Sequence, residues 1–208
     1  MSKNTRTRIL LTAVAALLLV VMAVGGTLAW LVDTASPVTN TFTASDIKIT
    51  LNETVPANKE AKMVPGNDIA KDPFVTLDNP SEKSYLYVEI VENNVANFLT
   101  YTVNSNWVKM EGVTGPNDGQ MYYYKEAVEA GDTKYYILTG KTGVDSNNAS
   151  LANGFVTVQN TVKDEDMNPT SGTFNKPTLT FYAYAIQSAN TGDQAAAWAL
   201  LKTQEGLN

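Results

Sequence analysis

The sequence predicts an all-β sandwich with a short C-terminal helix. From Ile47 onward, short runs of alternating apolar and polar residues recur, and clusters of Gly, Pro, Asn and Asp separate them. Period-two alternation is typical of strands with one buried face, and many short strands between turns indicate a sandwich. With 44% hydrophobic residues among 208, the chain can bury a substantial core.

The candidate strands follow one another along the chain. The first, residues 46–51, places Ile47, Ile49 and Leu51 on one face. The second, Asp72–Leu77, ends at the turn-forming sequence Asp78-Asn79-Pro80. The other candidates share β-branched or aromatic residues in alternation: Ser84–Val91, Leu99–Val103, Gln120–Tyr124, Lys134–Leu138, Phe155–Val162 and Thr178–Ile186.

One segment near the C-terminus has a helical pattern instead. Residues 193–202 are rich in alanine and leucine, and Thr191 with Gln194 resembles a capping box that opens a helix. Trp198 and Leu201 are three positions apart and would face the same way. We expect this helix to seal one end of the sandwich.

Composition excludes several functions. The chain has no cysteine and no histidine, so disulfides, thiol nucleophiles, Cys-ligated metals and His-dependent catalytic sites are absent. Fifteen basic against 21 acidic residues give a net charge of −6, which argues against nucleic-acid binding. We therefore expect a protein that is not an enzyme and that needs neither a cofactor nor a metal.

The N-terminus is typical of an export signal. Basic residues precede a stretch, 9–32, that carries no charge. A glycine pair leads into Thr27 and Ala29, the small residues that a signal peptidase prefers at −3 and −1. Cleavage before Trp30 would remove residues 1–29 and release a secreted, more acidic chain. The alternative is an uncleaved N-terminal anchor, since the stretch is long enough to span a bilayer.

Motifs of one kind occur at both ends of the chain. They comprise Gly25–Thr34 (GGTLAWLVDT), Asn40–Thr43 (NTFT), Asp46–Leu51 (DIKITL), Val64-Pro65-Gly66 before Lys71-Asp72-Pro73, Tyr182–Gln187 (YAYAIQ) and Ala197-Trp198. The N-terminal motifs resemble the SipW-dependent signal region of the TasA/camelysin class of exported proteins of Gram-positive bacteria. The C-terminal motifs resemble the alternate signal-mediated exported members of that class. Residues 95–175 match only as generic strands.

The resemblance implies a jelly-roll-like antiparallel β-sandwich, here residues 43–208, that is secreted to the cell surface or the biofilm matrix. In such proteins the segment after the cleavage site can act as a donor strand for the next subunit. Here that segment is 30–42, with apolar positions at Trp30, Val32, Val38 and Phe42. The implied partners are other copies in a head-to-tail homopolymer, a SipW-type signal peptidase and a fibre-anchoring homologue. The alternative is a flexible leader to the first strand.

The tyrosines and tryptophans allow a second function. Aromatic residues are concentrated between 85 and 136, and alternation would expose some of them. Exposed rings could stack on sugars or bind proteins, as in a monomeric adhesin or a glycan-binding module. They could equally form cross-strand pairs that stiffen the sheet. The candidates for ligand contact are Trp107, Tyr122, Tyr124 and Tyr135.

The acidic residues indicate neither a metal-binding site nor a catalytic site. Asp164, Asp166 and Asn168 have the spacing of a calcium loop, but a proline occupies the sixth position, so a solvated turn is the better interpretation. Carboxylate pairs such as Glu89 and Glu92 are interpreted as surface charge. The metallopeptidase label of camelysin-type relatives is not carried over, because the chain lacks histidine.

Overall fold

The computed structural model describes residues 4–5, 8, 11–18, 46–54, 62–144, 146–163, 165–167 and 175–207. The chain divides into two compact units, residues 1–43 and 44–208. In the first unit, residues 11–18 are helical, and the Thr12 hydroxyl donates to the Arg8 carbonyl at 2.9 Å. Within the described ranges, no helix is long and apolar enough to cross a membrane.

The second unit forms an all-β sandwich with a C-terminal helix, which confirms the predicted fold class. Its strands pair antiparallel in three sheets, ordered β1-β3-β8, β10-β4-β7-β6 and β2-β9-β5. A short 3-10 helix occurs at Val95–Asn97, and two 3-10 turns separated by a kink at Asn148 span Ser146–Ala152. The elements are β1 (Ile49–Glu53), β2 (Asp68–Ala70), β3 (Pro73–Leu77), β4 (Ser84–Asn93), β5 (Leu99–Tyr101), β6 (Trp107–Thr114), β7 (Gln120–Tyr124), β8 (Tyr135–Tyr136), β9 (Phe155–Val158), β10 (Thr178–Gln187) and α1 (Gln194–Glu205).

The main core lies on the inner face of the four-stranded sheet. Alternation along β4 sends Leu86, Val88 and Ile90 into this core, where they meet Val75 and Leu77 of β3. All five side chains are almost fully buried. This apolar burial between facing sheets is the dominant stabilising contribution of a sandwich.

The helix α1 covers the outer face of that same sheet rather than an end of the sandwich, so the expected position was wrong. Trp198 and Leu201 do face the same way, as predicted, and both are buried against Tyr87 of β4. The rings of Tyr87 and Trp198 lie 5.1 Å apart, and the Tyr87 hydroxyl donates to the Gln194 carbonyl at 2.6 Å. Burial raises the pKa of Tyr87 well above its ordinary value. Both faces of β4 are therefore covered.

The helix α1 begins at Gln194 with Asp193 as its N-cap, and the capping box predicted at Thr191 was wrong. The Asp193 side chain accepts from the Ala196 N–H at 2.9 Å and is the N-cap. Thr191 instead donates its hydroxyl to the carbonyls of Gln187 and Ser188. The intervening glycine has a φ of 79° and keeps the chain out of the helix until Asp193.

The predicted turns and most predicted strands are present, and β7 has the predicted bounds. Strands β2 and β6 were not predicted. The first is only three residues long. In β6 the alternation fails at Gly112, which has a φ of 70° and lies in a register shift between Lys109 and Thr114. The irregularity brings the side chains of Met110 and Val113 to the same side of the sheet, in the apolar cluster that also contains Trp198 and Leu201 of α1.

Candidate functional site

A groove lies between β1 and β10, the end strands of two different sheets. Its volume is about 370 Å³, and its lining is part apolar and part charged. Leu179 and Phe181 on β10 pack against the main core, and Leu51 on β1 is 36% exposed. Ile47 and Ile49 pack against the main core as expected, whereas Leu51 lines the groove instead. The other lining residues are Asn52, Glu53, Lys71, Pro73 and Thr180.

Both strands present backbone hydrogen-bonding groups to the groove side. In an antiparallel ladder, residues that bond across one edge alternate with residues whose N–H and C=O point away. The Asp78 N–H donates to the Lys48 carbonyl, so even-numbered residues of β1 bond to β3 and odd-numbered residues face outward. The Ser188 N–H likewise donates to the Lys83 carbonyl. The backbone N–H and C=O groups of Leu179 and Phe181 therefore point away from β4. Among the described residues, no strand pairs with these edges.

An ion pair lies in the wall of the groove. The Lys71 ammonium is 2.6 Å from Glu53 Oε1, and each side chain is only 15% exposed. The same ammonium lies 5.7 Å from the centre of the Phe181 ring. Glu53 Oε2 is buried and has no hydrogen-bond partner within the described part of the chain. A buried unpaired acceptor is costly, so an incoming N–H or O–H donor at this position would be favourable.

The predicted donor strand and cleavage site lie outside the described part of the chain. Residues Thr27, Ala29 and Trp30 of the cleavage site lie outside the described residues, as do Val32, Val38 and Phe42 of the candidate donor strand. The described part of the second unit begins at Asp46, just before β1.

Three of the four candidate ligand aromatics pack on one another. The ring of Tyr124 lies 5.1 Å from that of Trp107 and 4.9 Å from that of Tyr135, both edge-on. Trp107 is only 4% exposed, and its indole N–H donates to the Tyr136 carbonyl at 2.9 Å. Its ring is thus part of the core and offers no stacking face to a ligand. Burial raises the pKa values of Tyr124 and Tyr135.

The fourth aromatic, Tyr122, lines a second groove of about 500 Å³. This groove runs along β5 and also contacts Glu92, Val95 and Leu99. The Tyr101 hydroxyl donates to Glu92 Oε1 across it. Burial, followed by the carboxylates of Glu92 and Glu111, raises the pKa of Tyr122.

Glu89 is buried, which corrects its interpretation as surface charge. It is fully inaccessible on the outer face of β4. Its Oε1 accepts the N–H groups of Asn117 and Gly119, each at 2.8 Å, and its Oε2 accepts the Asn117 amide and the Tyr184 hydroxyl, each at 2.9 Å. Burial acts to raise the pKa of Glu89, but these four hydrogen bonds outweigh burial and lower it.

The carboxylate is held by the turn between β6 and β7. A Cβ on Gly119 would lie 2.6 Å from Glu89 Cγ, and one on Gly115 would collide with the Glu89 carboxyl carbon. Both positions need glycine because the turn wraps closely around the side chain. Both carboxylate oxygens therefore accept hydrogen bonds from this turn and from Tyr184, and the buried side chain ties the turn to β4 and β10.

Of the three residues with calcium-loop spacing, the structure describes only Asp166. Asp164 and Asn168 lie outside them, and the Asp166 carboxylate accepts from the Lys163 N–H at 2.9 Å in a local turn. The described ranges contain no group of three or more acidic residues that could hold a metal ion.

Comparisons with protein-family models, with curated proteins and with solved structures found no match to this chain. The resemblance to the TasA/camelysin class stays a prediction from the motifs at the two ends of the chain.

Proposed function

We propose that the protein is a secreted structural subunit of the cell surface or biofilm matrix. In this proposal, residues 30–42 of one copy dock as a strand into the groove between β1 and β10 of the next copy. The observation that carries it is the juxtaposition of two outward-facing strand edges on one partly apolar groove. Such edges are the usual template for strand addition from another chain.

The side chains and backbone groups of residues 30–42 are complementary to those that line the groove. Trp30, Val32, Val38 and Phe42 provide apolar side chains for a groove whose inner wall is continuous with the core. Main-chain groups of the docked strand would pair with the edge of β10, and a donor could reach the unpaired Glu53 oxygen. A head-to-tail contact of this kind generates an open filament unless it closes into a ring.

The export partners follow from the same proposal. A SipW-type signal peptidase would cut after Ala29 and free the donor segment, and a homologous minor subunit would anchor the fibre. Replacing Ala29 with lysine should block this processing, because the enzyme requires a small residue at −1. Normal mature protein in the medium of such a variant would contradict the cleavage site.

Electron microscopy tests the assembly directly. We expect fibres from a chain that begins at Trp30 and none from a chain that begins at Thr43. On the acceptor side, Leu51→Lys should abolish fibres, because it places a charge in the groove. Leu200→Lys is the matched control, since Leu200 is 39% and Leu51 36% exposed but Leu200 lies on α1.

Two results would contradict the proposal. Fibres from the chain lacking 30–42 would show that this segment is not the donor. Equal loss of fibres in the Leu51 and Leu200 variants would show that any added surface charge disrupts assembly, and the groove would lose its role.

A further inference from the structure

The third sheet, β2-β9-β5, presents another unpaired edge with its own groove. The Gln159 N–H donates to the Phe98 carbonyl, so even-numbered residues of β5 bond to β9. The N–H groups of Leu99 and Tyr101 therefore point away from β9 and toward the groove. No strand among the described residues pairs there, and the one polar contact to the Leu99 carbonyl is a 3.5 Å approach of the Gln159 amide.

The lining of this groove is typical of a strand edge rather than of a pocket closed by side chains. Consecutive residues from Leu99 to Val103 line it, as is expected where a ligand would run along the backbone. Thr100 and Thr102 are exposed on one side of β5, while Leu99, Tyr101 and Val103 pack toward the main core on the other. A segment of about five residues would match this length, at roughly 3.3 Å per residue.

The charge of the groove favours a cationic partner. Glu92 is exposed at its end, and within the described part of the chain its carboxylate accepts a hydrogen bond only from the Tyr101 hydroxyl. None of the described Lys or Arg side chains forms an ion pair with Glu92, whereas nearby Glu111 is paired with Lys109 at 3.4 Å. A Lys or Arg on a docked strand would supply the missing opposite charge.

We propose that the β5 groove binds an extended basic segment of another protein, which adds to the third sheet as a strand and places a Lys or Arg on Glu92. Alternate side chains of the segment would cover the apolar floor at Val95 and Leu99, and the others would lie beside the threonines. This site is on a different sheet from the groove between β1 and β10, so it does not depend on the proposed fibre.

Fluorescence anisotropy with a labelled alternating Lys-Val heptapeptide tests the proposal on the full chain. We expect saturable binding, and loss of binding when alternate amides of the peptide are N-methylated, because strand addition needs those N–H groups. Glu92→Gln should weaken binding about threefold and Glu92→Lys about tenfold, since an exposed pair contributes little and a like charge repels. Glu92→Gln keeps an acceptor for Tyr101.

The control variant is Glu129→Gln, whose side chain is 73% exposed and lies outside the groove lining. It should bind like the wild type. Three results would overturn the proposal: no saturable binding, equal binding of the N-methylated peptide, or equal weakening by the Glu129 variant. Glu92-dependent binding of oligosaccharides without peptide binding would also overturn it, and would assign the groove to sugars.

Discussion

Replacing Glu89 with glutamine should lower the free energy of unfolding by about 2 kcal/mol at neutral pH. The side chain is fully buried and accepts four hydrogen bonds, two on each oxygen. Glutamine keeps one oxygen for the N–H groups of Asn117 and Gly119. The Asn117 amide and the Tyr184 hydroxyl can reorient to accept from the new NH₂, so what is lost is mainly the charge-assisted strength of the four bonds.

Replacing Glu89 with alanine should cost more, about 4 kcal/mol, because buried donors are left without any acceptor. The pH dependence has a definite sign. Hydrogen bonding holds the pKa of folded Glu89 below its ordinary value of 4.5, so its stabilising contribution is present above that pH. The contribution is lost as the pH falls through the folded pKa. The stability difference between wild type and Glu89→Gln should therefore shrink in acid.

Urea unfolding followed by circular dichroism, at pH 7 and in acid, measures both effects. Glu126→Gln is the control, because it makes the same chemical change at an exposed carboxylate. A Glu89→Gln variant within about 0.5 kcal/mol of the wild type at pH 7 would refute the reasoning, since that is the range of ordinary surface substitutions. A difference that stays constant in acid would refute the assignment of the effect to the ionised carboxylate.

Three further predictions concern the turn, the helix and assembly. Gly119→Ala should destabilise the fold by about 1–3 kcal/mol in the same urea assay, because the new Cβ would overlap Glu89; an unchanged midpoint would show that the turn can move. Asp193→Ala should cost about 1 kcal/mol and Asp193→Asn much less, since asparagine keeps the capping oxygen; equal losses would contradict the cap. Salt should promote fibre formation by the chain that begins at Trp30, measured by light scattering, because it screens the excess negative charge; assembly indifferent to salt would show that repulsion does not control it.

The strands could be predicted where apolar residues alternate with more polar ones along the sequence. Leu86, Val88 and Ile90 alternate with more polar positions, and that alternation follows from the sandwich itself. The fate of Glu89 could not be predicted in the same way. Its burial depends on a turn about thirty residues away and on Tyr184 at the far end of the chain, and local patterns contain no information on such contacts.

Local patterns were also ambiguous at the start of α1 and in β6. Thr191 and Asp193 are both good N-cap residues, and only the left-handed conformation of Gly192 decides between them. Gly112 interrupts β6 in the sequence, whereas in the structure it is absorbed by a bulge that the neighbouring strand tolerates. The grooves depend on which strands end each sheet, and strand order is a property of the whole topology.

The position of Trp198 gives the protein an intrinsic optical reporter. The chain contains three tryptophans: Trp30, which precedes the sandwich, Trp107 in the main core, and Trp198 between α1 and the sheet. In a Trp30→Phe chain, the remaining indoles would emit from two separate clusters. A Trp107→Phe version would then report only whether the helix is seated on the sheet. Comparing its emission with circular dichroism during unfolding would reveal whether the helix detaches before the strands separate.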